Sequence, residues 1–433
     1  MPSQSIVDRS RMLGLWDTTG LWANLGISLL LPVAAAFALL PGRPLSVTVL
    51  AIVVGAVIGA TLLGLGAAAG AREGVPAMVL MRGLFGRRIS ALPTVFNVVQ
   101  CVGWATFEIM IIGSVAARAL DAPFWPFALA AGVLATMMAV RPLGAIRLLA
   151  RYLVWVALAV VAYLFVRVLS HPVPPPAGPG TASFWSAVDV VIALPVSWFP
   201  LAADYTRHVR GARTAFAGTA VGYGAATIAF FLLGVLALAA YGRSGLDVID
   251  ALLAVPLGVV AVLVLLVVEV DEAFANIYST AESTRNLTAR VDRRVLAVAV
   301  GILSTLLALA FDVTAYEPFL FLIGAVFVPL IGVFLVAYHL PRSRWDVSDT
   351  APARPALLLP WAAGFAAFQL TLPTQLTSTG AGWTTWWAQR QQDLGIDPAN
   401  GWSASLVGLA VAGALTTLIL LPAQLRRRSG RLP

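Results

Sequence analysis

Four side chains in the stretch PTVFNVVQCVGWATFEIMIIGS are of types that bind rather than pack: Asn97, Gln100, Trp104 and Glu108. They stand three, four and four residues apart, so on a helix they share one face. An indole offers a flat surface to a planar ring, and amide or carboxyl groups can read a ring's hydrogen-bonding edge. A second stretch, VVEVDEAFANIYSTAEST, carries Glu269, Asp271, Glu272, Asn276, Ser279, Thr280 and Glu282 among apolar neighbours. Four acids in one hydrophobic segment are costly unless they meet a cation, a proton or an arginine. Glu282 sits near the segment's end with Arg285 as its partner; Asp271 and Glu272 lie deeper and are the candidates for a coupling cation or proton.

A third stretch, DVVIALPVSWFPLAADYTRHVR, places Pro195 and Pro200 in an apolar run, with Ser197 and Trp198 between them. Each proline removes an amide donor and clashes with the preceding turn, so the segment is expected to unwind from Pro195 to Pro200. The simpler alternative is a proline kink with Trp198 turned to lipid. Near the N-terminus LWANLGIS sets Asn24, Gly26 and Ser28 at apolar depth, a second soft point.

The elements that must hold these residues follow from composition. Of 433 residues, 60% are hydrophobic and 11% charged, against roughly 25% charge in ordinary soluble domains. Apolar windows of about 20 residues, the length that a hydrocarbon core of roughly 30 Å asks of a helix, recur along the chain. Twelve are expected, at about 19-40, 46-69, 94-117, 124-140, 148-169, 184-203, 215-241, 256-283, 295-311, 317-339, 357-374 and 402-423. The chain is therefore an all-α polytopic membrane protein. No cleavable signal is evident in MPSQSIVDRSRML, and the single Cys101 excludes an internal disulfide framework.

The net charge of +8 is topology rather than nucleic-acid binding. All 28 basic residues are arginines, and with both termini cytoplasmic 23 fall on the inside. Only Arg43, Arg118, Arg167, Arg243 and Arg390 fall outside, which is the positive-inside rule for a protein of the cytoplasmic membrane. No nucleic-acid-reading module is present. The run RRRSGR at 426 to 431 is expected as a solvated tail near anionic lipid. HPVPPPAGPGTAS forms a stiff link, and the loop at 376-402, with Trp383, Trp386 and Trp387, an interfacial belt. The small residues of GAVIGATLLGLGAAAG permit close packing of the second span.

Soft points in the first and sixth spans sit at equivalent places in a pair of five-helix repeats, which points to a transport site near the midplane. Several separated pieces then resemble the nucleobase:cation symporter family of cytosine/purine permeases. They are GVPAMVLMRGLFGRRISALPTVFNVVQCVGW at 74 to 104 and LPVSWFPLAADYTRHVR, within a similarity covering about 14 to 340. The form SW-P-L-DYTR is closest to the hydroxymethylpyrimidine branch. The resemblance implies a leucine-transporter-type fold: a 5+5 inverted repeat plus two helices, with helices 1 and 6 discontinuous. It divides the chain into a cytoplasmic segment 1-18, repeats 19-170 and 184-339, two added helices in 357-423 and a basic tail 424-433.

It also implies that Trp104 stacks on the ring, that Glu108 one turn later bonds to it, and that Leu194, Pro195, Ser197 and Trp198 supply the other wall. Gln100, Asn24 and Asn276 complete the substrate candidates. The coupling ion, H+ or Na+, falls to Asp271, Glu272 and the break at Gly26; acids stand where sodium-coupled members carry hydroxyls, so a proton is a candidate. No other cofactor is implied. A carboxyl that carries a proton donates and accepts together, matching the amidine-like edge of cytosine, an aminopyrimidine or a purine. The expected activity is symport of such a nucleobase or hydroxymethylpyrimidine. Rivals are an amino-acid or other small-solute symporter of the same fold and a non-transporting membrane sensor. A membrane enzyme is disfavoured, because His171, His208 and His339 are scattered and neither HExxH nor GxSxG occurs.

Overall fold

A computed structural model describes residues 13–141, 154–174, 183–241, 248–288, 290–312, 315–340, 345–374, 380–397 and 401–428. Arg9, Arg11, Arg147, Arg151, Arg243, Arg342, Arg344, Arg431 and most of the proline-rich link lie outside the described residues, as do both ends of the Trp-rich loop. Among the described residues the regular elements are all helices, apart from one isolated backbone bridge.

Among the described residues, seven helices are long and apolar enough to cross a membrane: Leu45–Glu73, Ala91–Leu120, Phe184–Thr206, Ala212–Tyr241, Arg293–Ala310, Tyr316–His339 and Ala404–Pro422. Three shorter apolar helices, Phe124–Val140, Trp155–Leu169 and Pro355–Thr371, take the places expected of the fourth, fifth and eleventh spans. The remaining two of the twelve are unusual for physical reasons. The first is split into Leu15–Asn24 and Leu30–Ala38. The eighth, Gly258–Leu287, is a continuous 30-residue helix that carries the acids.

Packing joins spans five apart. The second packs on the seventh, the third on the eighth and the fourth on the ninth, and the first lies against the sixth and, more extensively, the seventh. That relation is what two superposed five-helix repeats produce, and it leaves the eleventh and twelfth spans against the tenth. The small residues of the second span seat its partners. A Cβ at Gly70 would stand 2.6 Å from the Ala203 Cα, and one at Gly59 2.9 Å from the Pro195 Cγ. The backbones of the second and sixth spans are thus nearly in contact, where dispersion and shape rather than hydrophobicity hold helices together in lipid.

The two breaks differ from the expectation in one respect. The sixth span stays α-helical through Pro195 to Ser197, then tightens into a 3-10 turn at Phe199–Leu201 before Ala202–Thr206. Pro195 is tolerated because its ring fills the space left by Gly59. The discontinuity starts after it, where Leu201 N bonds the Trp198 carbonyl at 3.0 Å and leaves the Ser197 carbonyl without its helical donor. In the first span the chain turns at Leu25–Leu29, where the Gly26 and Ile27 amides bond Ala23 and Asn24. Just before that span, Leu13 pairs with the segment after the sixth span: Leu13 N donates to the His208 carbonyl at 3.2 Å and Arg210 N to the Leu13 carbonyl at 3.1 Å.

Candidate functional site

The polar stripe of the third span divides into two parts. Its lower part is matched to the eighth span side chain by side chain: Asn286 Nδ2 donates to Thr94 Oγ1 at 2.9 Å, and Asn97 Nδ2 to Ser283 Oγ at 2.8 Å. Gln100 Nε2 donates to Asn97 Oδ1 and to the orphaned Ser197 carbonyl, both at 2.9 Å. Apart from Gln100 Oε1, these groups satisfy one another, as buried polar atoms must. Gln100 therefore braces the sixth-span break and does not line the cavity described next.

The upper part faces a small cavity lined by Ser28, Leu30, Leu31, Trp104, Glu108, Leu194, Ser197, Trp198, Leu201, Tyr223, Glu272 and Asn276. Six of the nine proposed substrate residues, Trp104, Glu108, Leu194, Ser197, Trp198 and Asn276, thus meet around one space, with Glu272 from the coupling set. Aromatic rings back it on both sides. Trp104 meets Phe319 at 5.4 Å and Tyr316 at 6.0 Å between ring centroids. Opposite, Trp198 meets Trp22 at 6.1 Å and Tyr223 at 6.2 Å. The cavity holds about 10 Å³, room for roughly one water. A planar ring enters only if these side chains move apart.

Several buried polar atoms at or beside this cavity have no partner within the protein: Trp104 Nε1, Glu108 Oε2, Glu272 Oε1, Gln100 Oε1 and Asn24 Oδ1. Leaving such groups unpaired costs about 1–3 kcal/mol each, so clusters of them are places where a ligand or ion gains binding energy. The Glu108 carboxyl lies beside those of Glu269 and Glu272. Asn24 Nδ2 donates to Asp271 Oδ2 at 2.5 Å, tying the first break to the eighth span.

Besides Gln100, four of the proposed residues stand elsewhere. Asn24 and Asp271 are spent on each other beside the cavity rather than in it. Gly26 faces the seventh span: a Cβ there would lie 2.7 Å from the Ala226 Cβ. Pro195 points to Gly59. At the other end, Asp204 Oδ1 accepts from Ala77 N at 2.9 Å, which ties the segment before the third span to the end of the sixth, and Glu282 pairs with Arg285 at 3.8 Å. There Asp204 and Arg207 line a second, more polar cavity of about 310 Å³ with Glu282, Arg285 and Asn286.

Three contributors were not singled out by the sequence. Tyr223 reaches the cavity from the seventh span, which no polar stripe marked. Glu269, noted only as one of four acids, accepts from Ser28 Oγ at 2.8 Å and Leu29 N at 2.7 Å. Asp189 accepts from Ser403 Oγ, Ala404 N and Ser405 N at 2.5, 2.7 and 3.2 Å, capping the twelfth span from the sixth. An acid in the apolar run DVVIALP was the available signal for it.

Two split or tightened crossings around a shared cavity, in paired five-helix repeats, define a multi-pass membrane carrier of the leucine-transporter type. The family model described as permease for cytosine/purines, uracil, thiamine, allantoin matches residues 6–351, and the chain belongs to that family. No curated protein matches the chain. Among solved structures, it is similar to Mhp1, a nucleobase-cation-symport-1 family transporter, in a closed conformation with bromovinylhydantoin bound. The TM-score is 0.74 at 17% identity, over 94% of this chain and 92% of that one. The inward-facing conformation of Mhp1 gives 0.70 at 17% identity over 95% and 92%. A Na+-coupled sialic acid symporter in an outward-open state gives 0.61 at 11% over 95% and 90%.

Proposed function

We propose that this permease carries an uncharged, planar nucleobase-like ring across the cytoplasmic membrane, with H+ or Na+ as the coupling ion. Cytosine, a purine and hydroxymethylpyrimidine are the candidate substrates. The observation that carries the reading is the cavity itself: indole faces from Trp104 and Trp198 with unpartnered Trp104 Nε1, Glu108 Oε2 and Glu272 Oε1 at its edge. Such a lining matches a ring that stacks on its face and exchanges hydrogen bonds along its rim. Trp104 is the stacking surface. Glu108 and Glu272 select the hydrogen-bonding edge, with Asn276 and the Ser197 turn closing the pocket. We take 19-170 and 184-339 as the two repeats, with both termini cytoplasmic.

The coupling ion has oxygen atoms suited to it. Asn24 Oδ1 and Glu272 Oε1 are buried acceptors with no donor, and a proton or a hard cation relieves both kinds of deficit. Asp271 holds Asn24 in place, so an ion taken at Glu272 and one taken at the first break act on the same pair of helices. Alternating access then amounts to rocking of the first, second, sixth and seventh spans against the third, fourth, eighth and ninth. A thermal-shift screen of the purified protein against nucleobases and thiamine precursors, with and without sodium, tests the reading. Stabilisation by at least one such ring is expected. Stabilisation by none of them, with an amino acid or sugar acid stabilising instead, overturns it.

A further inference from the structure

The second half of the first span, Leu30–Ala38, begins as a helix N-terminus buried in the middle of the bundle. The chain fills that N-terminus with its own carboxylate. Glu269 Oε2 accepts from Leu29 N at 2.7 Å, and Oε1 accepts from Ser28 Oγ at 2.8 Å. The Ser28 oxygen in turn accepts from Leu30 N at 3.0 Å. Glu269 is 1% exposed, and the polar atoms it meets are donors of the break together with the carboxyl of Glu108. The positive end of a helix favours an anion. In carriers built from discontinuous helices, that end receives the substrate's negatively charged group.

Here the place is already taken. Ser28, Leu30 and Leu31 border the cavity, so the filled N-terminus forms one of its walls. The cavity lining adds Glu108 and Glu272. Among the described residues no arginine forms an ion pair with Glu108, Glu269, Asp271 or Glu272. The donor that remains open to a ligand is neutral: Trp104 Nε1, buried, lining the cavity and without an acceptor. An indole N–H of that kind calls for a ring nitrogen or carbonyl oxygen rather than for a charge.

We infer that Glu269 stands in for a substrate carboxylate and thereby sets specificity, so that the site takes uncharged rings and rejects their carboxylate-bearing analogues. The inference rests on the cavity being the substrate site. A second carboxylate brought to the same wall finds its amides occupied and a like charge beside it, which amounts to about a hundredfold weaker binding or more. The rule is independent of which ring is carried. It also separates this chain from amino-acid carriers of the same architecture, whose ligands bring a carboxylate of their own.

The test uses purified full-length protein and matched pairs that differ by one carboxylate: uracil against orotate, and other uncharged solutes against their carboxylated forms, with L-phenylalanine as an amino-acid probe. Binding is read by displacement of a labelled ligand or by thermal shift. The wild type is expected to prefer the uncharged member by about a hundredfold or more. Glu269→Ala, which frees the Leu29 amide and the Ser28 hydroxyl, should narrow the gap to about tenfold or less. Glu269→Gln keeps an acceptor for Ser28 and Leu29, so it guards against misfolding; it should narrow the gap in part.

A wild type that binds orotate or phenylalanine as tightly as an uncharged partner overturns the inference. So does an undiminished gap in folded Glu269→Gln and Glu269→Ala proteins. If uncharged solutes bind selectively but no nucleobase does, the charge rule stands and the nucleobase reading falls.

Discussion

The two interrupted crossings solve opposite problems. The break in the first span exposes amide donors, and an acid from the eighth span, Glu269, accepts from them. The break in the sixth span exposes a carbonyl, Ser197, and an amide from the third span, Gln100, donates to it. One break is therefore charged and the other neutral. In lipid an orphan backbone group finds no water, so each interruption persists only while its neighbour supplies the complement. The proline does not open the sixth span: the helix runs through Pro195 and changes pitch beyond it. What distinguishes the breaks is the partner, and the partners lie on the third and eighth spans, against which the broken pair is proposed to move.

The strongest way to challenge this picture is at the cavity between the breaks. Trp104→Ala removes a stacking face worth about 1–3 kcal/mol per base and empties a crowded aromatic cluster. Uptake should be abolished with the protein still in the membrane, and undiminished uptake would remove the stacking role. Next in size, Glu272→Gln and Glu108→Gln each take a carboxyl from the charged side. Transport assayed across pH and sodium concentration should change its ion dependence or its ligand preference; profiles identical to wild type would leave both residues with packing alone.

Gln100→Ala tests the neutral break. It strands the Ser197 carbonyl and should cost about 1–3 kcal/mol of stability, seen as a lower unfolding temperature that an added ring partly restores. An unchanged temperature would mean that the turn holds itself. The smallest effect belongs to Pro195→Ala. If the partner rather than the proline makes the break, stability should stay within about 1 kcal/mol and uptake should persist. Loss of uptake in that variant would return the proline to the centre of the account.

Much of this was legible in the residues. The apolar windows mark the crossings because lipid thickness acts on the sequence directly. Spacing also put Asn97, Gln100, Trp104 and Glu108 on one face. It could not say that the first two would be consumed by Ser283 and Ser197 while the last two faced a cavity, since that depends on which helix lies opposite. Glu269 was hidden for the same reason: four acids in one segment look alike until the donors around each are known. Tyr223 carried no signal at all, as a lone tyrosine in an apolar span is ordinarily core. The expected unwinding begins at Trp198 rather than at Pro195, with Pro200 inside the 3-10 turn, because a helix packed against a glycine has room for the Pro195 ring and the rule for isolated helices ignores that neighbour.

The short bridge between Leu13 and Val209 carries one more consequence. Its two backbone bonds fasten the approach to the first crossing to the exit from the sixth. Those two ends form a single latch: neither can swing outward without tugging the other, so whatever opens this end of the passage must release both leaves of the door together.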